Sequence, residues 1–169
     1  MSKITRRETL AAGAGAVTAK DDDALLRDVG DWQEIQEKIS ASAVEREKRK
    51  KRLPERLRNS SIDPRGWQKY AEEWPQNVIA RLREHEPHYV RAGMGEIEDK
   101  LNALWGDQDP ITKRLLDARP VTLAGALSLA SVWVAYLGSN SDSGDDWLVK
   151  VTNAAERSLA DAARLAGTA

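Results

Sequence analysis

From Asp21 onward, apolar residues recur at intervals of three and four positions almost to the end of the chain. Leu25, Val29, Trp32, Ile35, Ile39 and Ala43 are the clearest run. At 100° per residue they fall within an arc of about 120°, the width of a stripe that one helix face buries. No segment alternates Val, Ile or Thr with polar residues over a strand's length. The pattern therefore predicts an all-α protein of about six helices. It has a long N-terminal helix and a C-terminal antiparallel helical hairpin. The core of such a bundle needs large side chains, and this chain has no Phe but six Trp. Trp32, Trp67, Trp74, Trp105, Trp133 and Trp147 are accordingly expected to fill it.

Boundary signals divide the chain further. The first helix is expected to begin near Asp23, where negative charge suits a helix N-terminus. Its apolar stripe lapses after Val44. Glu45 with Arg49 and Glu47 with Lys51 can keep residues 45–52 helical, so 45–58 reads as a solvated basic extension disturbed by Pro54. Asp63-Pro64 signals a short helix carrying Trp67, Tyr70, Ala71 and Trp74. Val78, Ile79 and Leu82 mark the next, closing at Pro87. Met94 to Trp105 forms another, with Gly106 as terminator. Asp109-Pro110 then opens a separate short helix with Ile111, Leu115 and Leu116.

Thr122 is expected to cap a helix over Leu123–Leu137, and a polar loop leads to a last helix over Trp147–Ala166. Leu148, Val151, Ala155, Leu159, Ala162 and Ala166 would line its buried face. Val121 to Leu137 carries no charge, which raises the alternative of a membrane span. Its polar and small residues and its charged, amphipathic companion point to a buried core helix instead. Residues 20–169 read as a single helical domain.

The N-terminus carries its own signal. Thr5-Arg6-Arg7-x-x-Leu10 followed by the apolar stretch Leu10 to Ala19 resembles a twin-arginine export leader, with cleavage after Ala19. Export would place the mature protein in the periplasm. Loss of Lys3, Arg6, Arg7 and Glu8 would move the formal charge from -1 to -3. The alternative is an N-terminal tail of a cytoplasmic protein.

No set of residues spells out a reaction. The absence of Cys excludes disulfides, thiolate metal sites and a Cys nucleophile. There is no Gly-x-Ser-x-Gly elbow and no phosphate-cradling Gly-Lys-Ser/Thr, so no catalytic or cofactor-binding residue is assigned. The two histidines, His85 and His88, sit in Glu84-His85-Glu86-Pro87-His88. They are the candidates for a metal site, although their spacing is not a helical i, i+4 pair. Arg46, Lys48, Arg49, Lys50, Lys51 and Arg52 are the anion-binding candidates, for phosphates of nucleic acid or of anionic lipid headgroups. The balance of 26 basic against 27 acidic residues argues against a polyanion-binding surface as a whole.

Arg119-Pro120-Val121-Thr122-Leu123-Ala124-Gly125 resembles the Pro-x-Thr-x-x-Gly helix opening of small, uncharacterised helical proteins of bacteria. In those sequences an acidic linker and a last amphipathic helix follow, as Asp142, Asp145 and Asp146 followed by Trp147-Leu148 do here. The resemblance implies an all-helical fold and no particular activity. The expectation is a protein that acts through protein–protein contacts. Anion binding through 46–58 and metal binding through His85 and His88 are the alternatives.

Overall fold

The structure, a computed structural model, describes residues 22–59, 63–139 and 145–167. The export leader expected over 1–19 lies outside them. Among the described residues there are five α-helices and no strand. They are α1 (Asp23–Lys50), α2 (Gln76–Arg91), α3 (Met94–Asp117), α4 (Leu123–Ser139) and α5 (Asp145–Ala166). Short 3-10 turns occur at Glu55–Leu57 and Trp67–Tyr70.

Two expected boundaries are not boundaries. α2 runs through Pro87 and α3 runs through Pro110, so the two helices expected around Gly106 are one. A proline inside a helix leaves the carbonyl four residues earlier without its N–H partner. Those carbonyls belong to Arg83 and Gly106, and both residues and both prolines are exposed, so water can satisfy the freed groups. The helix expected after Asp63-Pro64 shrinks to the turn at Trp67–Tyr70.

The chain forms two compact units. The described residues of the first, the terminal unit, lie within Met1–Gln33 and Pro110–Ala169. Its core is Leu25, Val29 and Trp32 of α1, Ile111 and Leu115 of α3, and the packed pair α4 and α5. Trp32 is 1% exposed, and its indole N–H donates to Thr112 Oγ1 at 3.1 Å. The guanidinium of Arg114 grips both oxygens of Asp28, at 2.7 and 2.9 Å, and this hydrogen bonding holds the Asp28 carboxyl below its ordinary range. At the loop end of the hairpin, Trp147 Nε1 donates to the Tyr136 hydroxyl at 2.6 Å.

On α5 the buried residues are Val151, Ala154, Ser158 and Ala162, which step by three and four. Leu159 and Ala166, expected on that face, are exposed. The small ladder Ala154–Ser158–Ala162 lets the α4 backbone come close, and Leu159 lies one position, about 100°, beyond it.

The start of α4 is tied to the start of α1. The buried Asp22 carboxylate accepts from the Val121 and Thr122 N–H groups, at 3.2 and 2.9 Å, and from the Thr122 hydroxyl at 2.5 Å. Thr122 Oγ1 in turn accepts from the Gly125 N–H at 3.0 Å, which is the N-cap expected of it. A side chain at Gly125 would overlap the Asp22 carboxylate, so glycine is required there.

The second unit, the central one, is Glu34–Asp109. Leu53, Tyr89, Ala92, Met94 and Ile97 form a buried cluster, and Ile39, Ile79, Leu82 and Leu101 of the same unit are buried as well. Gly93 joins α2 to α3 at φ 69°, the left-handed conformation that lets one helix end and the next begin at once. Its carbonyl accepts from Arg49 Nη1.

Of the tryptophans, only Trp32 and Trp133 are fully buried. Trp67, Trp74 and Trp147 are half-buried, and Trp105 is 48% exposed. Trp67 lodges against polar groups instead of core. Its N–H donates to Glu86 Oε2 at 2.9 Å, and Arg83 lies 4.5 Å over its ring.

Candidate functional site

Within the central unit, three helical ladders at i, i+4 spacing face one polar cavity of about 190 Å³. α1 supplies Arg46 and Lys50, α2 supplies His85 and Tyr89, and α3 supplies Met94, Glu98 and Asn102. Leu53, Arg58 and Asp63, from the chain that follows α1, complete the wall. The register follows from residue spacing. Ser42, Arg46, Lys50 and Leu53 share one face of the chain as it leaves α1, and Ser42 and Leu53 at either end of it are buried.

The two carboxylates of the cavity already have partners. Glu98 accepts from Arg46 Nε at 2.6 Å. Asp63 accepts from Arg65 at 2.6 to 3.1 Å, while the same guanidinium bonds both oxygens of Asp99 at 2.7 and 2.9 Å. Burial alone would raise the Asp63 carboxyl, and Arg65 more than reverses that, holding it below its ordinary value. The cations Lys50 and Arg58 are different. Arg58 donates to the backbone carbonyls of Leu53 and Lys51, at 3.0 and 3.1 Å. Neither Arg58 nor Lys50 pairs with a carboxylate among the described residues.

His85 is 3% exposed, and its Nε2 has no hydrogen-bond partner among the described residues. Its ring meets Tyr89 edge-on at 5.7 Å. Burial lowers the imidazole below its ordinary 6.5, the neighbouring charge of His88 lowers it further, and Asp63 opposes both. His85 is therefore neutral near pH 7. Burial likewise pushes the Tyr89 hydroxyl up to about 12.

The residues singled out by sequence thus separate. His85 faces the cavity, whereas half-buried His88 does not line it. No group of three or more His, Asp or Glu among the described residues is placed to hold a metal ion. Within the basic run, Arg46 and Lys50 line the cavity, and Arg49 is half-buried between Glu45 at 3.0 Å and Glu96 at 3.2 Å. Lys48, Lys51 and Arg52 are exposed. Intramolecular pairing of Arg46 and Arg49 weakens the run as a phosphate-neutralising surface. Arg58 belongs to the basic segment 46–58 that the sequence singles out, and it lines the cavity. Asp63, Tyr89, Glu98 and Asn102 carried no sequence signal for a site, because residues this far apart meet only through the tertiary fold.

In the terminal unit, α4 carries a feature of another kind. Its inner face, Gly125, Ala126, Leu129, Ala130, Val132 and Trp133, is buried. Its outer face is apolar as well: Leu123, Leu127 and Val134 are 37%, 53% and 64% exposed, with exposed Ser131 between them. These four residues fall within about 80° of one another on a helical wheel. α4 is therefore not a helix buried all round. Nor is any helix among the described residues long and apolar enough to cross a membrane.

No family model, no curated protein and no solved structure matches this chain.

Proposed function

We propose that this chain works through protein–protein contact, not catalysis. In this reading the outer face of α4 is the contact surface and a second copy of the chain is its partner. The observation that carries the reading is the exposed apolar face Leu123, Leu127 and Val134, interrupted by the single hydroxyl of Ser131, on a helix with no charged residue anywhere along it. Several large apolar side chains gathered on one exposed helix face are a mark of an interface. Burying it recovers about 25 cal/mol for each Å² of apolar surface removed from water. Because the face carries no charge, two copies can lie against each other about a two-fold axis without like-charge repulsion. The exposed Gly138 at the end of the helix adds no bulk to such a pairing.

The experiment is sedimentation equilibrium on the purified full chain and on Leu127→Glu, Val134→Glu. The wild type is expected to reach twice the chain mass at micromolar concentration. The doubly substituted chain is expected to stay at the single mass with unchanged helical circular dichroism. A wild type that stays at the chain mass over the same range contradicts the reading.

A further inference from the structure

We propose that the polar cavity of the central unit is a binding site for a small oxyanion, held by Lys50, Arg58 and His85. The inference does not depend on the α4 interface. It rests on what the cavity leaves unsatisfied. A buried ring nitrogen with no partner is costly, because it has lost its water and gained nothing in exchange. His85 Nε2 is such an atom, and it belongs to a side chain that lines an open volume. The volume of about 190 Å³ suits a few waters or one small ion.

Charge selects the class of ligand. Of the five charged lining residues, Arg46 and Glu98 neutralise each other, and Asp63 pairs with Arg65, which it shares with Asp99. Among the described residues Lys50 and Arg58 have no carboxylate partner, so the lining sets three cations against two carboxylates and favours an anion over a cation. The Arg58 guanidinium is fixed by two backbone carbonyls, which leaves it preorganised to donate to an oxygen inside the cavity. The neutral His85 ring adds a third donor when its Nε2 carries the proton and a small turn of the ring brings that buried atom to the cavity surface, and the Tyr89 ring meets it edge-on. Leu53 and Met94 provide an apolar wall that a short hydrocarbon tail can meet. Carboxylate and phosphate share the oxyanion chemistry that these donors recognise.

The test is isothermal titration calorimetry of the full chain with sodium phosphate and, separately, with sodium butyrate, at constant ionic strength. At least one is expected to bind saturably, one ion per chain, with a Kd of about 1 mM or below. Preference for phosphate assigns the phosphate class, and preference for butyrate assigns the carboxylate class. Lys50→Met and His85→Gln are each expected to weaken binding about fivefold or more, the loss of one hydrogen bond to a charged group. Lys48→Met, which removes an exposed charge of the same run, is expected to leave it unchanged. Circular dichroism establishes that each variant folds, and Lys50→Met, at a half-buried position, serves if His85→Gln does not. Absence of saturable binding for both ions overturns the proposal. So does equal affinity in wild type and Lys50→Met.

Discussion

The Asp22 carboxylate meets three donors at the start of α4 and fills the space a side chain at Gly125 would need. The Pro-x-Thr-x-x-Gly stretch thus has a physical reading: Thr122 caps the helix, and Gly125 admits a carboxylate from nearly a hundred residues away. Gly125→Ala is expected to cost about 1–3 kcal/mol through overpacking, and Asp22→Ala about 1–3 kcal/mol through the donors of Val121 and Thr122 left without a partner. Because Asp22→Ala also vacates the contested space, the double variant is expected to cost less than the sum of the two. Urea denaturation of the three chains measures this, and strict additivity would show that the two residues do not compete. His85 offers a second check at the same scale. Its imidazole is held below 6.5 in the folded chain, so the unfolded chain takes up the proton first as pH falls. Its contribution is complete above about pH 6.5 and is lost as pH falls from there toward the folded value. The urea midpoint is expected to drop between pH 7 and pH 5.5, and to drop less in His85→Gln. An equal drop in both chains would assign the effect to other groups.

At the scale of elements, the sequence was readable wherever a helix has one clearly apolar face. The long first helix, the cap at Thr122 and the C-terminal hairpin follow from periodicity and capping residues alone. Pro87 and Pro110 misled because local propensity treats a proline as an end, whereas packing on the opposite face carries the helix through. In α3 that packing is Gln108, Ile111, Thr112 and Leu115, all buried around an exposed Pro110. Pro110→Ala is accordingly expected to restore a helix hydrogen bond without losing core, and to stabilise the chain by about 1–3 kcal/mol. A lower denaturation midpoint in Pro110→Ala would mean that the ring itself is needed. Leu127 and Val134 were hidden for the opposite reason: where a helix is apolar all round, periodicity cannot tell the buried face from the exposed one. The cavity was only half legible, because the basic run and His85 stood out while their convergence depends on three helices meeting.

At the scale of the whole molecule, the proposed function requires α4 to pair with its counterpart in a second chain. The lack of any Cys makes this directly testable, since a single introduced thiol can form a disulfide only with another copy. An antiparallel pairing about the middle of the stripe brings Leu127 and Ser131 of the two copies close to the two-fold axis. The measurement is the rate of oxidative cross-linking of Leu127→Cys and Ser131→Cys, with the exposed Lys48→Cys as reference. A disulfide-linked dimer forming much faster in at least one of the α4 variants than in Lys48→Cys is the predicted result. Cross-linking of both α4 variants no faster than Lys48→Cys would contradict the account.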